Sequence, residues 1–189
     1  LLTLLCSSFW LGKLELRISN YKGLPLALRY PGSKLLETQR DASVRIDWLE
    51  TPLARFAPGL SLEFRGSLPE QLGLTLDGDS LTGMAPLIPD SLGPYLRHLP
   101  EWVLYFDQPP PEKVLILKTI GGQQALAAVE AGASSIMVQT PFPLLTKKLA
   151  ESSHFPQIEL RATGARAFLA EDCSEPCQMT EPRFDRILV

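Results

Sequence analysis

The sequence predicts an α/β protein in two parts: a small β-rich N-terminal part, then a parallel sheet with crossover helices. Three observations predict it. Lys113 to Val138 reads KVLILKTIGGQQALAAVEAGASSIMV: an apolar run, a glycine pair, an alanine-rich stretch, a stopping glycine and a second apolar run. That order is strand, turn, helix, strand, the opening unit of a nucleotide-binding α/β fold. Earlier in the chain, short runs alternate apolar and polar residues between prolines, as half-buried strands do. The triple proline Pro109 to Pro111 separates the two textures and forms a stiff connector. The expected division is an apolar segment over residues 1–12, a β-rich part over 13–108 with a junction helix, and the parallel-sheet part over 109–189.

In the first half, Leu14 to Ser19 (LELRIS), Ser43 to Glu50 (SVRIDWLE) and Ser61 to Gly66 (SLEFRG) alternate and are expected strands. LGLTLDGDSLTGM places two short strands around Asp77-Gly78, a strong hairpin signal. Pro25, Pro31, Pro52, Pro58 and Pro69 punctuate the strands. Ser91 to Leu104 is an expected helix, interrupted at Pro100. In the second half, strands are expected at Val114 to Leu117, Ser135 to Gln139, Ile158 to Arg161 and Phe184 to Val189, the last a buried one. Helices are expected at about Gln123 to Glu130, at Pro143 to Ser152 and, briefly, at Arg166 to Ala170. Strands alternating with helices imply a parallel sheet whose right-handed crossovers place helices on both faces. The chain ends in or just after a strand, so a fragment of a longer polypeptide is expected.

With 189 residues there is room for one large domain or two small ones. The hydrophobic fraction is 45% and the charged fraction 21%, which supports a packed core and excludes global disorder. Net charge is −3 without a long basic run, so nucleic acid is excluded as a partner. Three cysteines, Cys6, Cys173 and Cys177, do not make a disulfide framework. Cys173 and Cys177 read as loop thiols, since a metal needs two more ligands and the only histidines are His98 and His154. No metal is expected. The opening LLTLLCSSFW is apolar but about half the ~20 residues a membrane helix needs. It suits a buried element, a truncated signal segment or the end of a transmembrane helix. Lys13, Arg17 and Lys22 follow, and positive charge marks the cytoplasmic flank of a span.

Candidate functional residues are few. Gly121 and Gly122 allow close backbone approach to a ligand at a helix N-terminus, or form only a tight turn. Gln139 lies 18 residues beyond Gly121, near the ~20 expected of a ribose partner, or is a solvated strand end. Asp77 and Asp79 are turn formers, and Asp185 is a surface charge. Arg166 is an exposed helix residue or faces a carboxylate. His98 and His154 stand alone. Trp10, Trp48 and Trp102 belong to a core or an interface, and Phe9 and Trp10 also suit an interfacial belt at a membrane surface.

Taken in order, the YKGLPLAL segment (Tyr21 to Leu28), the APGLSL segment (Ala57 to Leu62), the LDGD hairpin (Leu76 to Asp79), the HLP helix, the proline link and KVLILKTIGGQQALAAVEAGASSIMV resemble the spermidine synthase family. The similarity is greatest to its membrane-fused, spermidine-synthase-like members. IELRATGARAFLAE…RFDRILV is similar to the family's "GDARAFL … YDVILVD" stretch, so the resemblance covers roughly residues 18–189. It implies a Rossmann-like, methyltransferase-type sheet preceded by a small β domain. It implies S-adenosylmethionine or its decarboxylated form as ligand, and aminopropyl transfer to a diamine as activity. It implies cofactor contacts from Gly121, Gly122, Gln139, Gly164 and Ala165. It also favours a membrane tether through the N-terminal segment, on the cytoplasmic face.

The family's acids are replaced here. Lys118 and Thr119 stand where small residues are usual, and Gln123 where an acid often sits. Gln139 replaces the ribose acid, and an amide is a weaker hydroxyl partner than a carboxylate. Gly164 replaces the acid of the "GDAR" turn, here Thr163-Gly164-Ala165-Arg166. Tyr95-Leu96-Arg97 stands for the family's Tyr-His-Glu. The catalytic Asp would follow Val189. A cationic amine needs carboxylates to offset its desolvation, and proton removal needs a base. The expected function is therefore non-catalytic: a module that binds a protein partner in a membrane assembly. An aminopropyl- or methyltransferase, and a nucleoside-binding sensor, are the alternatives.

Overall fold

The structure is a computed structural model and describes residues 18–164 and 184–189. The first half holds a short helix, α1 (Gly23–Leu28), and strands β1 (Lys34–Arg40), β2 (Arg45–Glu50), β3 (Leu72–Leu76) and β4 (Asp79–Met84). These strands make one antiparallel sheet in the order β1-β2-β3-β4. The β3–β4 hairpin turns at Asp77 (φ 52°) and Gly78 (φ 71°), the left-handed pair that matches the twist of the flanking strands. Along β2 the side chains alternate. Ile46 and Trp48 enter the main core, while Leu49 packs against Leu24 and Ala27 of α1 on the opposite face. Asp47 shares that second face and is fully buried. Arg45 neutralises it from Nε at 2.9 Å to both oxygens and from Nη2 at 2.6 Å. Thr38 donates a further hydrogen bond to it at 2.6 Å.

The second half runs β5 (Lys113–Leu117), α2 (Gln123–Glu130), β6 (Ser135–Thr140), α3 (Pro143–Ser152), β7 (Ile158–Ala162) and β8 (Arg186–Leu188). Its sheet is parallel throughout, in the order β7-β6-β5-β8. The order reverses beside β5, with β6 and β7 built outward on one side and β8 on the other. This is the arrangement of a Rossmann-like, methyltransferase-type sheet, and ligands of such sheets bind at the carboxyl ends of the strands by that switch point. Buried alanines Ala125, Ala127 and Ala128 of α2 join Val114, Ile116, Ile136 and Val138 of the sheet in one core. Ile46, Trp48, Leu74 and Met84 of the first half belong to the same core, so both sheets stabilise each other through shared apolar burial. Lys148 of α3 completes the junction, 5.6 Å above the Trp48 ring and 3.8 Å from Glu37.

Several expectations are corrected. Ser61 to Gly66 is not a strand. Phe64 N–H bonds Ser61 O at 3.1 Å and Ser61 N–H bonds His98 O at 3.0 Å, so local turns consume the backbone groups a strand would use. The helix expected over Ser91 to Leu104 is three 3₁₀ turns, Pro89–Ser91, Pro94–His98 and Pro100–Leu104. Each starts on a proline, which lacks the N–H that a continuous helix requires. Ile18 and Ser19 are not in a strand, and the rest of Leu14 to Ser19 lies outside the described residues. Arg166 to Ala170 also lies outside them. The buried strand expected at Phe184 to Val189 is shorter and half open: Leu188 is buried, while Ile187 is 55% exposed. Helix α1 and strand β1 were not foreseen in the sequence. β1 is exposed along nearly its whole length, so it carries no alternation to detect.

Candidate functional site

Three strand ends converge on the carboxyl edge of the parallel sheet. β5 leads into Lys118 to Gly122, β6 ends in Gln139 and Thr140, and β7 leads to Thr163 and Gly164. Leu117, Gln139 and Arg161 are consecutive partners across the three strands. The fold thus brings Gly121, Gly122, Gln139 and Gly164 to one edge. Ala165, Arg166, Cys173 and Cys177 lie outside the described residues.

The glycine turn is committed to internal contacts. Gly122 is left-handed (φ 74°) and caps α2, a conformation that costs a non-glycine residue about 1–2 kcal/mol. Its N–H points to Thr119 Oγ1 at 3.3 Å, and that hydroxyl donates to Gln124 Oε1 at 2.7 Å. Gly121 faces the first half of the chain. Its carbonyl accepts Ala85 N–H at 3.0 Å, and a Cβ built on it would lie 2.6 Å from Gly83 O. A Cβ on Gly122 would meet Leu87 Cδ2 at 3.2 Å. Gln123 is buried and donates to Phe56 O. Gln71 grips the same Phe56 backbone, accepting from its N–H at 2.6 Å and donating to its carbonyl at 2.9 Å.

Gln139 is not a solvated strand end. It is 1% exposed, and neither its Oε1 nor its Nε2 has a hydrogen-bond partner among the described residues. An unpaired buried amide costs roughly 1–3 kcal/mol. Gly164 is different, because a Cβ there would meet nothing within 4 Å. Thr140 is buried, and its hydroxyl lies 3.4 Å from Phe142 N–H. Among the described residues, no Asp or Glu occurs at 118–124, 140–142 or 163–164. An amide, hydroxyls and backbone N–H groups suit a neutral, hydroxyl-bearing ligand such as a ribose.

Other expected residues find structural roles. Asp77 forms the hairpin turn and also accepts Arg45 N–H at 2.9 Å. Asp79 accepts the next N–H, of Ser80, at 3.0 Å. Asp185 is more than a surface charge. Its carboxylate accepts Glu112 N–H at 2.7 Å and Lys113 N–H at 2.8 Å. The bond from Lys113 is the main reason its acid is held below the ordinary carboxylate range. His98 packs on Phe64 with ring centroids 5.4 Å apart, and His154 N–H bonds Leu87 O at 2.8 Å. Tyr95 is buried, and its hydroxyl donates to Ser91 O at 3.2 Å. Burial raises it to about 12. No cluster of three His, Cys, Asp or Glu side chains is present among the described residues. No described helix is long and apolar enough to cross a membrane.

Phe56, Gln71 and Gly83, which close over the glycine turn, were not singled out in the sequence. Gly83 did carry a signal, because a glycine inside a strand often marks close approach of another backbone.

No family model and no curated protein matches the chain. Among solved structures, the chain is similar to a spermidine synthase from Thermotoga maritima, with a TM-score of 0.48 and 18% identity, over 72% of this chain and 44% of that one. It is also similar to a spermidine synthase in complex with the transition state analogue AdoDATO, with a TM-score of 0.43 and 17% identity, over 68% of this chain and 39% of that one. The chain therefore spans less than half the length of either structure.

Proposed function

We propose that this chain is a spermidine-synthase-like module without transferase chemistry, which binds a protein partner as part of a membrane-associated protein. One observation carries the reading: Gly121 and Gly122 are spent on packing against Gly83, Ala85 and Leu87. A glycine turn that serves a cofactor keeps its N–H groups and its open side for that ligand. The acid-free strand ends support the same reading, since an amine nucleophile needs carboxylates to bind it and a base to deprotonate it. The apolar segment over 1–12 and the positive residues after it support the membrane association.

A second reading rests on Gln139. A buried amide with both polar atoms unpartnered fits a nucleoside sensor, in which Gln139 takes up a ribose hydroxyl without reaction. When bound, S-adenosylmethionine or its decarboxylated form would supply only an electrophilic carbon. The residues present would hold its ribose and would not activate an amine against it. Calorimetric titration of the protein with S-adenosylmethionine, its decarboxylated form and methylthioadenosine separates the readings. The module reading expects no heat of binding at millimolar ligand. Micromolar binding that Gln139→Leu abolishes would replace it with the sensor.

A further inference from the structure

We propose that residues 52–69 form a releasable strap over the start of α2, shut by the side-chain amides of Gln71 and Gln123. The inference rests on neither reading above, because the device lies in the chain's own contacts and its test needs no ligand. Residues 52–69 carry no helix or strand. Connections of more than about 12–15 residues without structure of their own are uncommon in compact domains and commonly serve as lids or binding loops. Pro52, Pro58 and Pro69 have no N–H to give to a sheet or helix.

Within this segment only Ala54 is buried. Ala57, Leu60, Phe64 and Leu68 rest partly buried on the main core, and Phe56 is 41% exposed. Little apolar burial holds the segment down, which places it among the least stable parts of the fold. Beyond its own turns and Thr51, backbone hydrogen bonds tie it to the rest of the described fold at two places. At the first, three bonds converge on the backbone of Phe56. Gln71 accepts the Phe56 N–H at 2.6 Å and donates to the Phe56 carbonyl at 2.9 Å, and Gln123 donates to the same carbonyl. Gln123 is the first residue of α2, directly after Gly121 and Gly122, and is 6% exposed. At the second, Ser61 N–H bonds His98 O at 3.0 Å. The chain between these points crosses from the start of α2 to the 3₁₀ turn Pro94–His98.

Gly83 makes room for this clamp. A Cβ on it would run into Gln71 Oε1 and would lie 2.9 Å from Phe56 Cβ. The residue whose carbonyl meets Gly121 therefore also admits the strap. Neutral hydrogen bonds of this kind each shift an equilibrium by roughly two- to tenfold, so the two glutamines set how often the strap opens. When it lifts, the Gln123 amide is set free beside the glycine turn. That edge then gains a polar group which the closed form withholds.

Amide hydrogen exchange of the full chain, followed by NMR, tests the strap. Phe56 N–H and Ser61 N–H should exchange together, and faster than Val114 and Ile116 N–H of the buried strand β5. Gln71→Leu removes two of the three bonds to Phe56 and should speed both strap amides by about tenfold or more. Gln123→Leu removes one and should speed them by roughly two- to tenfold. Gly83→Ala, which displaces the Gln71 amide, should act as Gln71→Leu does. Trypsin should cut after Arg55 faster in the same order. A Phe56 N–H that speeds while Ser61 N–H does not would reduce the clamp to a local contact and overturn the strap. Strap and core amides that speed in step would also overturn it, because the segment would then open only with the whole fold. Strap amides that none of the three substitutions moves would overturn it as well.

Discussion

The carbonyl oxygen of Gly83 and the backbone of Gly121 meet so closely that a Cβ at position 121 would sit 2.6 Å from that oxygen. Neither partner is a flexible side chain. One belongs to the last strand of the antiparallel sheet and the other to the first turn of the parallel sheet. The contact explains in physical terms why a glycine stands at 121 without reference to a ligand. Gly121→Ala should therefore destabilise the protein by about 1–3 kcal/mol, the usual range for an overpacked site. Gly164→Ala, with open space around it, should shift the urea midpoint far less. Equal shifts would remove the packing explanation.

Gln139 offers a test of opposite sign. Its amide is buried without a described partner, so Gln139→Leu removes two unsatisfied polar atoms and should leave stability unchanged or raise it by about 1 kcal/mol. Gln139→Glu buries a charge without a counter-ion. It should destabilise strongly at neutral pH and less as pH falls toward about 4, where the carboxyl becomes protonated. Denaturant titration of the two variants at several pH values checks both.

Arg45 and Asp47 form the buried ion pair of the first half. Arg45→Ala would leave a fully buried carboxylate supported only by Thr38 and Thr75. The expected loss is about 3–5 kcal/mol, measured as a fall in unfolding midpoint. Arg45→Ala with Asp47→Leu should recover most of it, because the stranded charge is then gone.

Asp185 links β8 to the start of β5. Its acid is held low chiefly by the hydrogen bond from Lys113 N–H. A folded value below the unfolded one, about 3.9, gives stability that is present above that pH and is lost as pH falls through the folded value. Asp185→Asn should therefore differ from the parent at neutral pH and converge with it in acid. A constant difference across that range would assign the effect to shape instead of charge.

Tyr95 and Tyr105 are both raised to about 12, mainly by burial. Two of the four tyrosines should resist ionisation until the alkaline limit, when followed by phenolate absorbance. Tyr95→Phe should remove one of these late-ionising groups from the absorbance titration.

The parallel half was legible because its signals are local and redundant. The apolar run at Val114 to Leu117, the alanines after Gly122 and the stop at Gly132 each pointed to the same unit, and Pro143–Ser152 fell where its proline and leucine spacing placed it. Legibility failed where tertiary context decides. β1 is recruited to the sheet by pairing with β2, though its own residues are exposed. The prolines between Pro89 and Leu104 kept the apolar content of a helix but removed its donors. At the candidate site, Gly121, Gly122, Gln139 and Gly164 were legible as residues at strand ends, and the fold brings them to one edge. The sequence could not show that Gly83 and Phe56 close over the turn, since that depends on contacts between residues 38 and 67 positions apart. The burial of Gln139 was equally hidden, because a polar residue at a strand end reads as solvated until its neighbours are placed.

The proposed function turns on one claim: that strand ends holding no Asp or Glu among the described residues support no aminopropyl transfer. Incubating the purified protein with decarboxylated S-adenosylmethionine and putrescine, and measuring methylthioadenosine release, tests it most directly. The account predicts release no greater than in a control without protein. Release that depends on putrescine and is lost in Gln139→Leu would contradict it and establish a working transferase.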